Sequence, residues 1–211
     1  MIDKTEIAII LDKSGSMSSR REDTISGFNK FINEQKAVDK PADITIIQFD
    51  DVMEEMYSGN IKYCPELNTN NYVPRASTKL YETVCKTIDK VGEKLAAIPE
   101  SNRPNKVLIT IISDGEENSS AREFSLKLMN DKIVHQEAKY NWEITFIGFT
   151  ADARRQSDAT SIKGFSKMPD KWANSVTASF NQLSVGVSKY RAACSVDQYK
   201  TENADKNFFE E

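Results

Sequence analysis

The chain has 211 residues, a formal net charge of −4, 39% hydrophobic and 28% charged residues, which describes one large folded domain with a real core rather than a disordered segment. Its acidic balance (pI about 5.3) excludes a general nucleic-acid or anionic-membrane binder; no apolar run approaches the roughly 20 residues of a membrane span, and Met1–Glu6 lacks a basic-then-apolar leader, so a cytoplasmic protein is expected. The scattered Cys64, Cys85 and Cys194 read as reduced thiols, and a single histidine, His135, leaves oxygen as the ligand for any metal.

In chain order the pattern alternates strand and helix. Glu6–Leu11 is a short apolar run of the kind found in buried parallel strands, ending at the polar turn Asp12-Lys13-Ser14-Gly15-Ser16. Ile25, Phe28, Phe31 and Ile32 recur at helical spacing, and Lys40-Pro41 ends that helix. Ile44–Phe49 is a second strand. Asp50-Asp51 reads as a hairpin turn, returning Val52–Tyr57 as an antiparallel edge strand. Residues 61–77 lack periodicity and form a long loop, and such loops within a domain are usually functional.

Leu80, Val84, Ile88, Val91 and Leu95 mark one face of a second helix, Leu80–Ala97. Val107–Ile112 is the clearest buried strand, ending at Ser113-Asp114-Gly115. A helix over Ala121–Glu137, a strand over Trp142–Phe149, a short helix over Asp152–Thr160, a short strand over Gly164–Met168 and a helix over Ala173–Ala193 complete the series. Residues 1–193 are expected to form one domain. Residues 194–211 read as an acidic, frayed tail. The fold class is α/β: an open, Rossmann-like, doubly wound and mostly parallel six-stranded sheet with one antiparallel edge strand and helices on both faces. Ligands of such sheets bind at the carboxyl ends of the strands, where strand order reverses.

Three polar loops fall on that rim: Asp12–Met17, Ala76–Lys79 and Ser113–Glu117. Asp12 and Asp114 supply carboxylates, and Ser14, Ser16 and Thr78 supply hydroxyls. That donor set suits a hard divalent cation such as Mg²⁺, which takes six oxygens in an octahedron and gives up its waters reluctantly. Gly15 would let the first loop turn tightly enough to bring Ser14 and Ser16 to one point. Taken singly, Asp12, Ser14 and Ser16 also fit a helix-capping turn. The combination with Thr78 and Asp114 favours metal.

Asp12-x-Ser14-x-Ser16 after an apolar strand, Thr78 downstream, and Ser113-Asp114-Gly115 after VLITII resemble the metal-ion-dependent adhesion site of von Willebrand factor type A domains. The resemblance covers residues 5–192. It implies direct binding of Mg²⁺ or Mn²⁺ by Ser14 and Ser16, direct or water-mediated binding by Thr78, and coordinated waters held by Asp12 and Asp114. It also implies a non-enzymatic adhesion or scaffolding module, the cation's open position being filled by an Asp or Glu of a protein partner, with no nucleic acid or membrane involved. Small standalone members of the family occur in bacteria and phages.

Other features read more plainly. Lys13, inside the motif, is expected to point to solvent, and Glu116-Glu117 to form a solvated turn. His135 reads as a surface residue, and Arg154-Arg155 as an exposed helix start. Cys85, Trp142 and Trp172 read as packing residues. The rival class is a Mg²⁺-dependent hydrolase or phosphatase with Asp12 as nucleophile, as in haloacid-dehalogenase-like enzymes. Those enzymes carry a second aspartate two positions on, where this chain has Ser14. Neither a Gly-x-Gly-x-x-Gly turn nor a Gly-Lys-Ser/Thr phosphate loop follows any strand, which disfavours a nucleotide-binding protein.

Overall fold

The computed structural model describes residues 1–114, 117–148, 159–162, 164–165, 175–203 and 208. Strands β1 (Ile2–Asp12), β2 (Ala42–Phe49), β3 (Met53–Asn60), β4 (Pro104–Ser113) and β5 (Glu143–Gly148) form a mixed sheet, and the order runs β3-β2-β1-β4-β5. All neighbours pair parallel except β2 and β3. Side chains of β1 alternate between two cores. Ile7, Ile9 and Leu11 enter one, while Ala8 and Ile10 enter the other. Leu108 and Ile112 of β4 face the first core, and Ile109 and Ile111 the second. A strand buried on both faces must be apolar throughout, which is why these segments read as unbroken runs.

Helices cover both faces. On the first lie α1 (Arg21–Ala37) and α4 (Val176–Ala192); on the second lie α2 (Leu80–Ala96) and α3 (Leu126–Tyr140). Along α1 the buried positions are Thr24, Gly27, Phe28, Phe31, Ile32 and Gln35, a stripe at helical period. Cys85 and Trp142 are buried in the second core, as their composition predicts, and His135 is exposed, in edge contact with Tyr140. Cys64, Cys85 and Cys194 are all free thiols. Among the described residues no helix is long and apolar enough to cross a membrane.

Three expectations change. The sixth strand reduces to a two-residue parallel pairing of Gly164 and Phe165 with Thr145 and Phe146, so the sheet has five full strands. Gly164–Met168 has too few apolar residues to make a run. Helix α3 starts at Leu126 rather than Ala121, where Ser125 accepts a hydrogen bond from the Leu128 amide, because the residues before it wrap around the start of α2. Finally, the segment read as a frayed tail contains α5 (Val196–Glu202), and Val196, Tyr199 and Phe208 are buried. Phe208 lies across Gly186 of α4, where an added Cβ would come within 2.6 Å of its ring. These apolar residues outweigh the acidic composition that suggested fraying. The short helix read over Asp152–Thr160, apart from its last two positions, lies outside the described residues, as do Glu116, Arg154, Arg155 and Trp172.

Candidate metal centre

The sheet order reverses between β1 and β4. The chain runs outward from β1 through β2 to β3, then returns to place β4 on the other side of β1. The carboxyl ends of β1 and β4 carry Asp12 and Asp114. Register pairs Leu11 with Ile112, so Asp12 lies beside Ser113, whose hydroxyl donates to Asp12 Oδ2 at 2.6 Å. The Ser14 amide donates to Asp12 Oδ1 at 2.7 Å. The Tyr72 hydroxyl donates to the Asp12 carbonyl at 2.7 Å. Asp12 is thereby held on both carboxylate oxygens and on its backbone.

Beyond Asp12 the chain enters a 3₁₀ turn, Gly15–Arg20. Ser14 is buried and Ser16 exposed, and their hydroxyls stand 3.1 Å apart. The Gly15 amide donates to the Ala76 carbonyl at 3.1 Å, and a Cβ at Gly15 would stand 3.3 Å from that oxygen, so glycine permits the close approach. The Arg75 amide donates to the Lys13 carbonyl at 2.8 Å. Ala76 takes a left-handed φ of 56°, rare for a residue with a Cβ, at the point where the two loops meet.

Thr78 is buried and joins the second loop to the third. Its amide donates to Asn118 Oδ1 at 2.8 Å, and its carbonyl accepts from the Asn118 and Ser119 amides, each at 3.1 Å. Asp114 is 3% exposed and close enough for its charge to act on Asp12. The structure therefore brings the loops of Asp12, Ser14, Ser16, Thr78 and Asp114 onto one rim, with a buried floor and a solvent-facing lip at Gly15-Ser16.

Burial pushes the Asp12 carboxyl up to about 6, against the hydrogen bonds from Ser113 and Ser14, and the charge of Asp114 adds to the rise. A nearby dication would offset what disfavours the Asp12 charge. The donor chemistry fits such an ion. Octahedral Mg²⁺ at about 2.1 Å from each oxygen places adjacent ligands roughly 2.9–3.0 Å apart, near the 3.1 Å between the Ser14 and Ser16 hydroxyls. Both Asp12 oxygens already accept one hydrogen bond. Their remaining lone pairs are suited to holding a metal-bound water.

No protein-family model matches the sequence, and no curated protein matches it. Solved structures do. A von Willebrand factor type A protein from Catenulispora acidiphila superposes with a TM-score of 0.54 at 14% identity, over 88% of this chain and 43% of that one. The fold is von Willebrand factor type A-like. The pilus adhesin SpaC from Lactobacillus rhamnosus GG superposes with a TM-score of 0.61 at 12% identity, over 89% of this chain and 30% of that one. Manganese-loaded TRAP protein from Plasmodium vivax gives 0.52 at 14% identity, over 84% and 73%. The chain thus spans about a third of the SpaC chain and under half of the Catenulispora one.

Within this type A-like fold the charged neighbours of the site differ from their sequence reading. Lys13 does not point to solvent. It is 5% exposed, and its ammonium pairs with Glu54 and lies 3.8 Å from Asp50 Oδ2. Asp50 does make the expected turn, since its Oδ1 accepts from the Val52 amide at 2.8 Å. It is also fully buried, and its Oδ2 accepts from Arg75 Nε at 3.0 Å. Burial opposes its charge, but the Val52 amide, Arg75 and Lys13 outweigh that and hold its carboxyl below the usual range. Glu117 is not merely a solvated turn residue: it accepts from the Tyr81, Ser119 and Ser120 amides and the Ser120 hydroxyl.

Tyr72 and Asn118 are the supporting residues that sequence reading missed. Ser113 and Glu117 lie in a rim loop that the sequence marks, and Asp50 in its expected turn, but their bonds to Asp12, Tyr81 and Arg75 are not read from it. Tyr72 lies in the unperiodic loop, where nothing marks a fully buried aromatic.

Proposed function

We propose that this chain is a metal-dependent protein-binding module. Asp12, Ser14, Ser16, Thr78 and Asp114 hold one Mg²⁺ or Mn²⁺ at the rim, and an Asp or Glu of a protein partner completes its coordination. The observation that carries the reading is the hydrogen-bonded hydroxyl pair of buried Ser14 and exposed Ser16, at ligand spacing beside the buried Asp12 carboxylate at the topological switch point. With Asp12 and Asp114 acting through waters, the ion's direct ligands are neutral oxygens, which favours an anionic sixth ligand. Solved structures of similar fold include a pilus adhesin and a manganese-loaded protein, which supports a binding role and a divalent ion.

The hydrolase alternative gains nothing from the geometry. Asp12 has no second aspartate two positions on to act as general acid; that position is Ser14, whose amide donates to Asp12 Oδ1. The single histidine of the chain lies on the surface of α3. The test is calorimetric titration of Mg²⁺ and Mn²⁺ into the wild-type chain and a Ser14→Ala/Ser16→Ala variant. Saturable binding by the wild type and its loss in the variant are expected; equal affinity in both overturns the site. A partner captured from the native host in Mg²⁺ and released by chelator would extend the result to function.

A further inference from the structure

A second basin lies at the opposite end of the sheet, where β2 begins and β3 ends. Its volume is about 390 Å³, within the range of small-ligand sites (about 300–1,000 Å³). Lys36, Lys40, Lys62 and Arg191 line it against a single carboxylate, Asp39. Lys40 is shared with Asp3 at 2.6 Å, outside the basin. The remaining cations still outnumber the acid.

Arg191, near the end of α4, is the unusual member. It is fully buried, and every acceptor it meets is neutral: the Gln35 carbonyl at 2.5 Å, Gln35 Oε1 at 3.1 Å and the Lys40 carbonyl at 2.6 Å. Its Nε–H has no acceptor among the described residues, and none of their carboxylates forms an ion pair with it. Burial alone pulls its guanidinium down to about 10. The C-terminal dipole of α1, which ends at this point, offsets part of that charge. A buried cation is otherwise expected beside an anion. On the facing wall the Asn60 side chain accepts from the Lys62 amide at 2.9 Å and fixes the turn that carries Lys62. Lys36 is anchored on the Cys64 carbonyl at 2.8 Å.

We propose that this basin binds a small, multiply charged oxyanion of the phosphate class, with Arg191 as the buried counter-charge and Lys36 and Lys62 at its mouth. The site is separate from the metal rim and independent of whether that rim binds an ion. The probe is inorganic pyrophosphate, titrated calorimetrically into the full chain in chelator at about physiological salt, so that no divalent ion bridges the two. One saturable site is expected. Lys62 is exposed and its side chain makes no hydrogen bond or ion pair among the described residues, so Lys62→Glu should fold normally and weaken binding at least tenfold. Ser14→Ala/Ser16→Ala should leave it unchanged. Absence of saturable binding, or equal affinity in Lys62→Glu, overturns the proposal.

Discussion

The Glu117 carboxylate accepts a 2.8 Å hydrogen bond from the amide of Tyr81, in the first turn of α2. Glu117 follows the second aspartate of the rim, and Tyr81 follows Thr78. One carboxylate therefore joins the third loop to the second and sits where the positive end of the helix dipole favours it. Ser120 and Glu82 extend the joint: the Ser120 hydroxyl accepts from the Glu82 amide at 3.0 Å, and Glu82 accepts from the Ala121 amide at 3.3 Å.

Replacing Glu117 by Ala should therefore act on both stability and metal affinity. Loss of a capping carboxylate costs about 1–2 kcal/mol, or roughly 2–8 °C in Tm for a chain of this size. Thr78 is held by the same loop through Asn118, so Mn²⁺ affinity should drop several-fold as well. Thermal denaturation and metal titration of the one variant check the two effects. A fall in Tm with unchanged metal affinity would separate the cap from the site.

Much of this was legible in the sequence, for a physical reason. Strands buried on both faces must be apolar throughout, so β1, β2 and β4 announced themselves. Their carboxyl ends could then be placed on one rim, and with them Asp12 and Asp114. Charge partners were not legible. Lys13 reads as a surface lysine because nothing local shows that Asp50 and Glu54, on the neighbouring hairpin, lie over it. The tail misled in the same way: its acidic side chains dominate the composition, while Tyr199 and Phe208, which bury, are sparse and set by contacts with Tyr190. Long-range contacts of this kind leave no period in the chain.

The Lys13–Asp50–Arg75 cluster should respond to charge removal. In Asp50→Asn the turn bond to Val52 can persist, but Lys13 keeps only Glu54 and Arg75 loses its closest partner. Breaking a buried pair costs 3–5 kcal/mol in full. Here Glu54 and the solvent-exposed Arg75 relieve part of it, so about 2 kcal/mol is expected, or roughly 4–8 °C in Tm. Lys13→Met should cost no more, because Arg75 remains on Asp50. Urea denaturation of both variants, with an unchanged slope, checks the order.

Phe208 should be a structural anchor although it lies close to the end of the sequence. It packs against Tyr190 and Tyr199 and closes over Gly186. Phe→Ala in a core costs 3–5 kcal/mol, and about 3 kcal/mol is expected here. Phe208→Ala should also raise amide exchange along α4 more than along α2, which lies on the other face of the sheet. Uniform acceleration in both helices would mean the segment holds the whole fold and not that face alone.

The last prediction concerns pH. The Asp12 carboxyl sits at about 6 in the folded chain, above its ordinary 3.8. A raised folded value means that the metal-free fold holds this proton more tightly than the unfolded chain does. Its contribution to stability is thus complete below about pH 3.8 and is lost as pH rises through 6. Metal works in the opposite direction, because ligating carboxylates must be ionised and the ion competes with the proton. Through this one group, affinity should be nearly constant above pH 7 and fall as pH drops through 6. One competing proton with that midpoint weakens binding roughly tenfold between pH 7 and pH 5. The rise in Tm produced by saturating Mg²⁺ at pH 7 should shrink over the same interval. Asp12→Asn, which has no proton to exchange, should bind more weakly at pH 7 and show a much flatter pH profile. A wild-type Mn²⁺ affinity that does not change between pH 7 and pH 5 would remove Asp12 from the site.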